Sequence, residues 1–143
     1  MARSAPRRGK QSGHPAHAVV LDAQGLSLAA AGDTRAGAWV ARARELRLPL
    51  VVNAVTLTET IRGTRRDAAV TLLTRNAHVD AVDAAFATDA GRLLGRVRRD
   101  DTVDALVATS AVRLARPVVI LTSDPHDLGA LTAEHPDVHV VAI

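Results

Sequence analysis

The chain has 143 residues, the size of one domain that buries a core without staples. It contains no cysteine, which excludes a disulfide framework and any zinc–thiolate site and fits a reducing cytoplasm. The formal charge is +3, but Arg3, Arg7, Arg8 and Lys10 all precede residue 18 with no acid among them, leaving 14 basic against 15 acidic residues in the remainder.

Residues 1–17 hold Pro6, Gly9, Gly13 and Pro15 among polar neighbours and read as a flexible basic leader, of a kind drawn to nucleic acid. The domain proper runs over 18–143. The first apolar run, 18–21, reads as a buried strand and stops at Asp22, so the start is no secretory signal. Residues 34–47 carry Trp39, Val40, Ala43 and Leu46 at helical spacing. A second apolar run, 48–55, is interrupted by Asn53, which this pattern leaves without an explanation. Helical signals follow over 56–63, 66–77 and 83–97. The clearest amphipathic pattern is 102–115, with Val103, Leu106, Val107, Ser110, Ala111 and Leu114 as its buried stripe. Pro117 opens another buried strand over 118–121, Asp124-Pro125 reads as an N-cap with proline at the first helical position, and 138–143 reads as a last strand. Short aliphatic strands alternating with helices give an α/β fold, a parallel sheet with helices on both faces. No apolar run approaches the roughly 18 residues of a membrane span.

Ligands in such a fold bind beyond the carboxyl ends of its strands; two carboxylates stand there, and two more sit on helices. Asp22 ends the first strand, and Ala23 and Gln24 follow it without an obvious turn. Asp124 follows the 118–121 strand, where helix capping alone would account for it. Glu59 lies in the helix after the second strand, and Asp104 sits beside the apolar stripe of 102–115. Each of these two alone reads as a boundary residue. Together, acids converging at strand ends would repel one another and hold raised pKa values unless a cation compensates. Mg²⁺ and Mn²⁺ prefer such oxygen ligands, and an ion held this way activates water against a phosphodiester.

These residues resemble the motifs of PIN nucleases. Val19-Val20-Leu21-Asp22-Ala23 is similar to their opening strand and Leu57-Thr58-Glu59 to their second motif. Asp101-Thr102-Val103-Asp104-Ala105-Leu106-Val107-Ala108 resembles the third, and Leu121-Thr122-Ser123-Asp124-Pro125-His126-Asp127-Leu128 the fourth. The resemblance covers residue 18 to the end and is nearest to the VapC-type toxins. It implies a three-layer fold, with a central, mostly parallel sheet flanked by helices. It also implies a metal-dependent endoribonuclease acting on RNA such as tRNA or rRNA, a homodimer, and a small antitoxin protein as inhibitor. On the family pattern Asp22, Glu59, Asp104 and Asp124 would ligate Mg²⁺ or Mn²⁺, and Thr122 would steady the cluster through its hydroxyl. Asp127 would add an outer carboxylate, and Asp101, one helical turn before Asp104, would replace or assist it. Gln24 departs from the pattern where many members carry Ser or Thr, and the basic leader lies outside it.

Other readings fare worse. A phosphoacceptor receiver domain needs a lysine near its acids, and the only lysine is Lys10. A haloacid-dehalogenase-type phosphatase needs a second aspartate where Gln24 stands. The rival from another class is a catalytically idle PIN-like module that binds RNA or protein. Trp39 and Phe86 are the only aromatics, too few for a base-stacking platform, so contact with RNA would fall to phosphates, metal ions and arginines. His14 and His17 fall in the leader, and His126 reads as a surface helix residue.

Overall fold

The computed structural model describes residues 16–114 and 117–143. The leader expected over 1–17 lies outside the described residues up to residue 15. Ala16 packs against the core, and the His17 amide donates to the Pro117 carbonyl at 2.7 Å.

Five strands form one parallel sheet in the order β3-β2-β1-β4-β5. They are β1 (Ala18–Leu21), β2 (Leu50–Asn53), β3 (His78–Asp80), β4 (Val118–Thr122) and β5 (Val138–Ala142). Seven helices are described: α1 (Ala23–Ala30), α2 (Thr34–Glu45), α3 (Thr56–Thr60), α4 (Asp67–Arg75), α5 (Ala84–Val97), α6 (Thr102–Val112) and α7 (Pro125–Leu131). None is long and apolar enough to cross a membrane.

β1, β2 and β4 are buried along their whole length because helices cover both faces, which is why they read as unbroken aliphatic runs. Period-two alternation sends Ala18, Val20, Val51, Val118 and Ile120 toward α5, α6 and α7. Val19, Leu21, Leu50, Val52, Val119 and Leu121 face α1, α2 and α4. The edge strands β3 and β5 are more exposed, and their broken pattern follows from having less to cover them.

The structure departs from the sequence reading in four places. The stretch after Asp22 is α1, a helix hidden by its small residues: Asp22 itself is the N-cap, accepting the Gly25 amide at 2.6 Å. The strand β3 is short and exposed, with too little periodicity to be seen. Nor is α6 amphipathic. Ala105 through Ala111 are all buried, because α6 lies between the sheet and α5 and α7. The helices over 56–63 and 66–77 are shorter than expected, at Thr56–Thr60 and Asp67–Arg75, with an arginine-rich loop between them.

Asn53 now has its explanation. It is fully buried, and its Nδ2 donates to the Leu106 carbonyl at 3.3 Å and to Ser110 Oγ at 3.1 Å. Its Oδ1 accepts the Val55 amide at 3.0 Å, and its carbonyl accepts the Thr56 hydroxyl at 2.8 Å. One side chain therefore ties the end of β2, the start of α3 and the middle of α6 together. A buried amide with partners for both of its ends costs little and fixes geometry.

Candidate active site

The strand order reverses at β1, with β2 on one side and β4 on the other. Crevices for ligands open at such switch points, beyond the carboxyl ends of the strands. A cleft of about 380 Å³ opens there, and Asp22, Glu59, Asp104, Thr122 and Asp124 all line it. Val103 and Val107 of α6 supply an apolar wall, and Gln24, Ser27 and Arg62 form the opposite rim.

Each acid arrives by a different local route. Asp22 is placed by the end of β1 and held by α1, whose first amides point at it. That approach requires Gly25. A Cβ there would lie 2.5 Å from the Leu121 carbonyl oxygen, closer than any side chain tolerates. Asp124 caps α7 as expected, accepting the His126 amide at 3.2 Å with Pro125 in the first turn, and it is exposed. Glu59 is exposed in the short α3, whose position Asn53 sets. Asp104 is half-buried in the first turn of α6. His126 is an exposed residue of α7.

Electrostatics mark the same place. Burial pushes the Asp104 carboxyl up to about 6, helped by the charges of Asp127, Asp101, Asp22 and Glu59. Burial also raises Asp22. Hydrogen bonds from Thr122 and the Gly25 amide oppose this, and the Glu59 charge reinforces it. The Thr122 hydroxyl accepts the Asp124 amide at 3.0 Å, so its oxygen ties β4 to the turn that carries Asp124.

The tightest group of carboxylates is a different one. Among the described residues, Asp101, Asp104 and Asp127 are the one set of three whose oxygens all lie within 4.8 Å of one another. Arg99 holds two of them. Its Nε donates to Asp101 at 2.9 Å, and its Nη2 bonds Asp127. The Asp101 hydrogen bond, with the charges of Asp127, Asp101 and Asp104, raises the guanidinium above its ordinary range against the effect of burial. Asp101 consequently makes no side-chain cap for α6, although it stands at the N-cap position. The difference follows from charge: carboxylates with a guanidinium between them gather, and carboxylates facing only one another across a cleft stay apart. Asp104 belongs to both groups, within reach of Asp101 and Asp127 while lining the cleft with Asp22, Glu59 and Asp124.

Sequence reasoning missed Arg99, Ser27 and Arg62. Arg99 and Arg62 are single residues among many arginines, and only the fold singles them out. Ser27 lies three residues after Gln24 in α1 and so shares its face, placing a hydroxyl on the cleft rim where Gln24 has none.

No protein-family model matches the sequence, and no curated protein matches it. Among solved structures, the chain is similar to one in the VapBC2 complex from Rickettsia felis bound to a DNA fragment from its promoter. The TM-score is 0.65 and the identity 10%, over 87% of this chain and 98% of that one. It is also similar to a chain of VapBC-1 from nontypeable Haemophilus influenzae, with a TM-score of 0.60 and 18% identity over 87% and 96% of the two chains. At these identities the likeness is one of fold.

Proposed function

From the premise of a PIN-like α/β fold, we propose that this chain is a metal-dependent endoribonuclease and the toxin of a VapBC-type toxin–antitoxin pair. The observation that carries the reading is the convergence of Asp22, Glu59, Asp104 and Asp124 on one cleft at the switch point of the sheet. Four acids around a space of that size, one of them pushed up to about 6 and with Arg62 the one cation among the lining residues, form a site short of positive charge. The donor set is all oxygen, which suits Mg²⁺ or Mn²⁺ and excludes the softer metals that need sulfur or imidazole. Asp22, Glu59, Asp104 and Asp124 would hold the ion, which when bound polarises a phosphodiester and supplies a water of lowered pKa.

The chain's own residues do the rest. The first amides of α1 and the Thr122 hydroxyl keep Asp22 oriented and favour its charged form. Asn53 fixes α3, and with it Glu59, against α6 and Asp104. Val103 and Val107 make one wall of the cleft apolar, which strengthens charge interactions inside it. Arg99 keeps Asp101 and Asp127 engaged outside the cleft, leaving Asp101 and Asp127 in a supporting role. The substrate is RNA, with tRNA or rRNA in keeping with the family resemblance. The partners are a small antitoxin and a second copy of the chain, and the setting is the cytoplasm.

The test is purified protein with RNA and Mn²⁺, wild type against Asp22→Asn, which keeps the cap geometry and removes the charge. Discrete fragments from the wild type, absent with EDTA and absent in the variant, are expected. RNA binding without cleavage by both proteins would establish the idle binding module instead.

A further inference from the structure

The loop joining α3 to α4 carries Arg62, Arg65 and Arg66, all exposed. Its shape is set by Asp67, whose carboxylate accepts the backbone amides of Arg62 at 3.2 Å, Gly63 at 2.6 Å and Thr64 at 3.1 Å. Gly63 supplies the left-handed turn, with φ of +74°. Burial would raise the Asp67 carboxyl, but these amides together hold it below its ordinary value. The acid of this segment is thus engaged with backbone. Among the described residues none of the three guanidiniums pairs with a carboxylate. Arg62 instead donates to the Thr58 and Ile61 carbonyls at 2.7 and 2.8 Å, a neutral pairing that leaves its charge uncompensated.

The loop is continuous with the acidic cleft. A second hollow, about 1000 Å³ in volume, runs between α1 and α4 and is bordered by Arg62, Arg65 and Arg66. Gln24, Ser27 and Arg62 line both hollows, so the two form one path. A cleft of carboxylates repels a polyanion, and only a cationic approach brings one in. We infer that residues 62–66 form a built phosphate-binding loop that seats the RNA backbone beside the scissile bond, with Gln24 and Ser27 offering neutral hydrogen bonds between loop and cleft. This rests on the nuclease reading above. The ligand chemistry is phosphate rather than base, because Phe86 is buried, Trp39 is partly buried against the core of the α1–α2–α4 face, and neither ring lines either hollow.

The experiment is fluorescence anisotropy with a labelled single-stranded RNA, full-length protein and EDTA to prevent cleavage, repeated over a series of salt concentrations. The double variant Arg65→Ala/Arg66→Ala removes two exposed side chains and is expected to bind more weakly. Its slope of log affinity against log salt should fall by about 1.4, at roughly 0.7 for each phosphate contact to a single strand. An unchanged slope overturns the inference, whatever the variant does to a protein partner. Asp67→Ala gives an opposed sign. Removing a negative charge beside three arginines tightens RNA binding if the loop is only a diffuse charge, and loosens it if Asp67 shapes the loop. Tighter binding overturns the inference. Wild-type protein that binds no RNA in EDTA would overturn this inference, as would equal binding by wild type and both variants, while the nuclease reading stands or falls separately on the Mn²⁺ cleavage assay above.

Discussion

Asp104→Asn should stabilise the metal-free protein at neutral pH while removing its activity. The Asp104 carboxyl titrates at about 6, against an ordinary value of 3.8, because burial and four neighbouring acids disfavour its charge. The folded state therefore holds this proton more tightly than the unfolded chain does. Its stabilising effect is complete below the unfolded value and is lost as pH rises through the folded one, from about 3.8 to about 6. Above that window the folded protein carries a charge it disfavours. Two pK units correspond to about 3 kcal/mol, and partial exposure of the group reduces this to roughly 1–2 kcal/mol. For a domain of this size that gain appears as a melting temperature higher by roughly 3–8 °C. The assay is thermal denaturation followed by circular dichroism in EDTA, at about pH 4 and at about pH 7.5, on either side of the titration. The variant should melt higher only at the upper pH. Asp22 is raised in the same direction and stays in place, so the variant keeps part of the acid-favouring slope. Added Mn²⁺ should raise the wild type more than the variant and narrow or invert the gap. A variant no more stable than wild type at neutral pH, or equally favoured at acid pH, would refute the electrostatic reasoning.

Three further outcomes follow from the geometry. Gly25→Ala sets a helix-propensity gain of about 0.5–1 kcal/mol against a clash with the Leu121 carbonyl, and both atoms of the clash are backbone-fixed. Overpacking of that kind costs roughly 1–3 kcal/mol, so urea denaturation should show a net loss, accompanied by weaker Mn²⁺ binding as Asp22 shifts. Asn53→Ala strands the buried Leu106 carbonyl and Ser110 hydroxyl and the part-buried Val55 amide and should cost about 2–3 kcal/mol. Loss of stability without loss of Mn²⁺ affinity would show that Asn53 does not position Glu59. Arg99→Ala removes the guanidinium held by Asp101 and Asp127, so the Asp104 carboxyl should titrate higher still, as read by carbon NMR of labelled aspartate. An unmoved titration would mean that Arg99 does not feel the cleft.

The fold was legible where one physical requirement dominates. β1, β2 and β4 are buried on both faces and so appear as bare aliphatic runs. The capping of α7 by Asp124 and Pro125 was equally plain. Failures came where context overrides pattern. In α1 the residues after Asp22 are small and mixed, and the helix forms because Gly25 admits its first turn against β4. In α6 helices and sheet enclose the whole circumference, so no stripe distinguishes one face. Candidate residues were legible as types, Asp22 and Asp124 at strand ends and Glu59 and Asp104 on helices. Their division into a cleft quartet and an outer pair was not, because it depends on Arg99, which reaches Asp127 across 28 positions of sequence.

That division suggests how one small domain keeps so many acids near one point. Asp101 and Asp127 are balanced by an internal cation, and their contacts join the start of α6 to α7. Asp67 is balanced by backbone amides and shapes a loop. Asp22 has partial compensation from the amides of α1 and the Thr122 hydroxyl. Asp104, half-buried beside Asp22, Asp101 and Asp127, has none comparable, and its carboxyl is pushed up to about 6. For stability alone a neutral residue would serve better, since stability rises when an uncompensated charge leaves a half-buried site. Its presence at the junction of both groups makes sense if a cation from solution completes the site, and strained electrostatics of this kind are what functional sites tend to show.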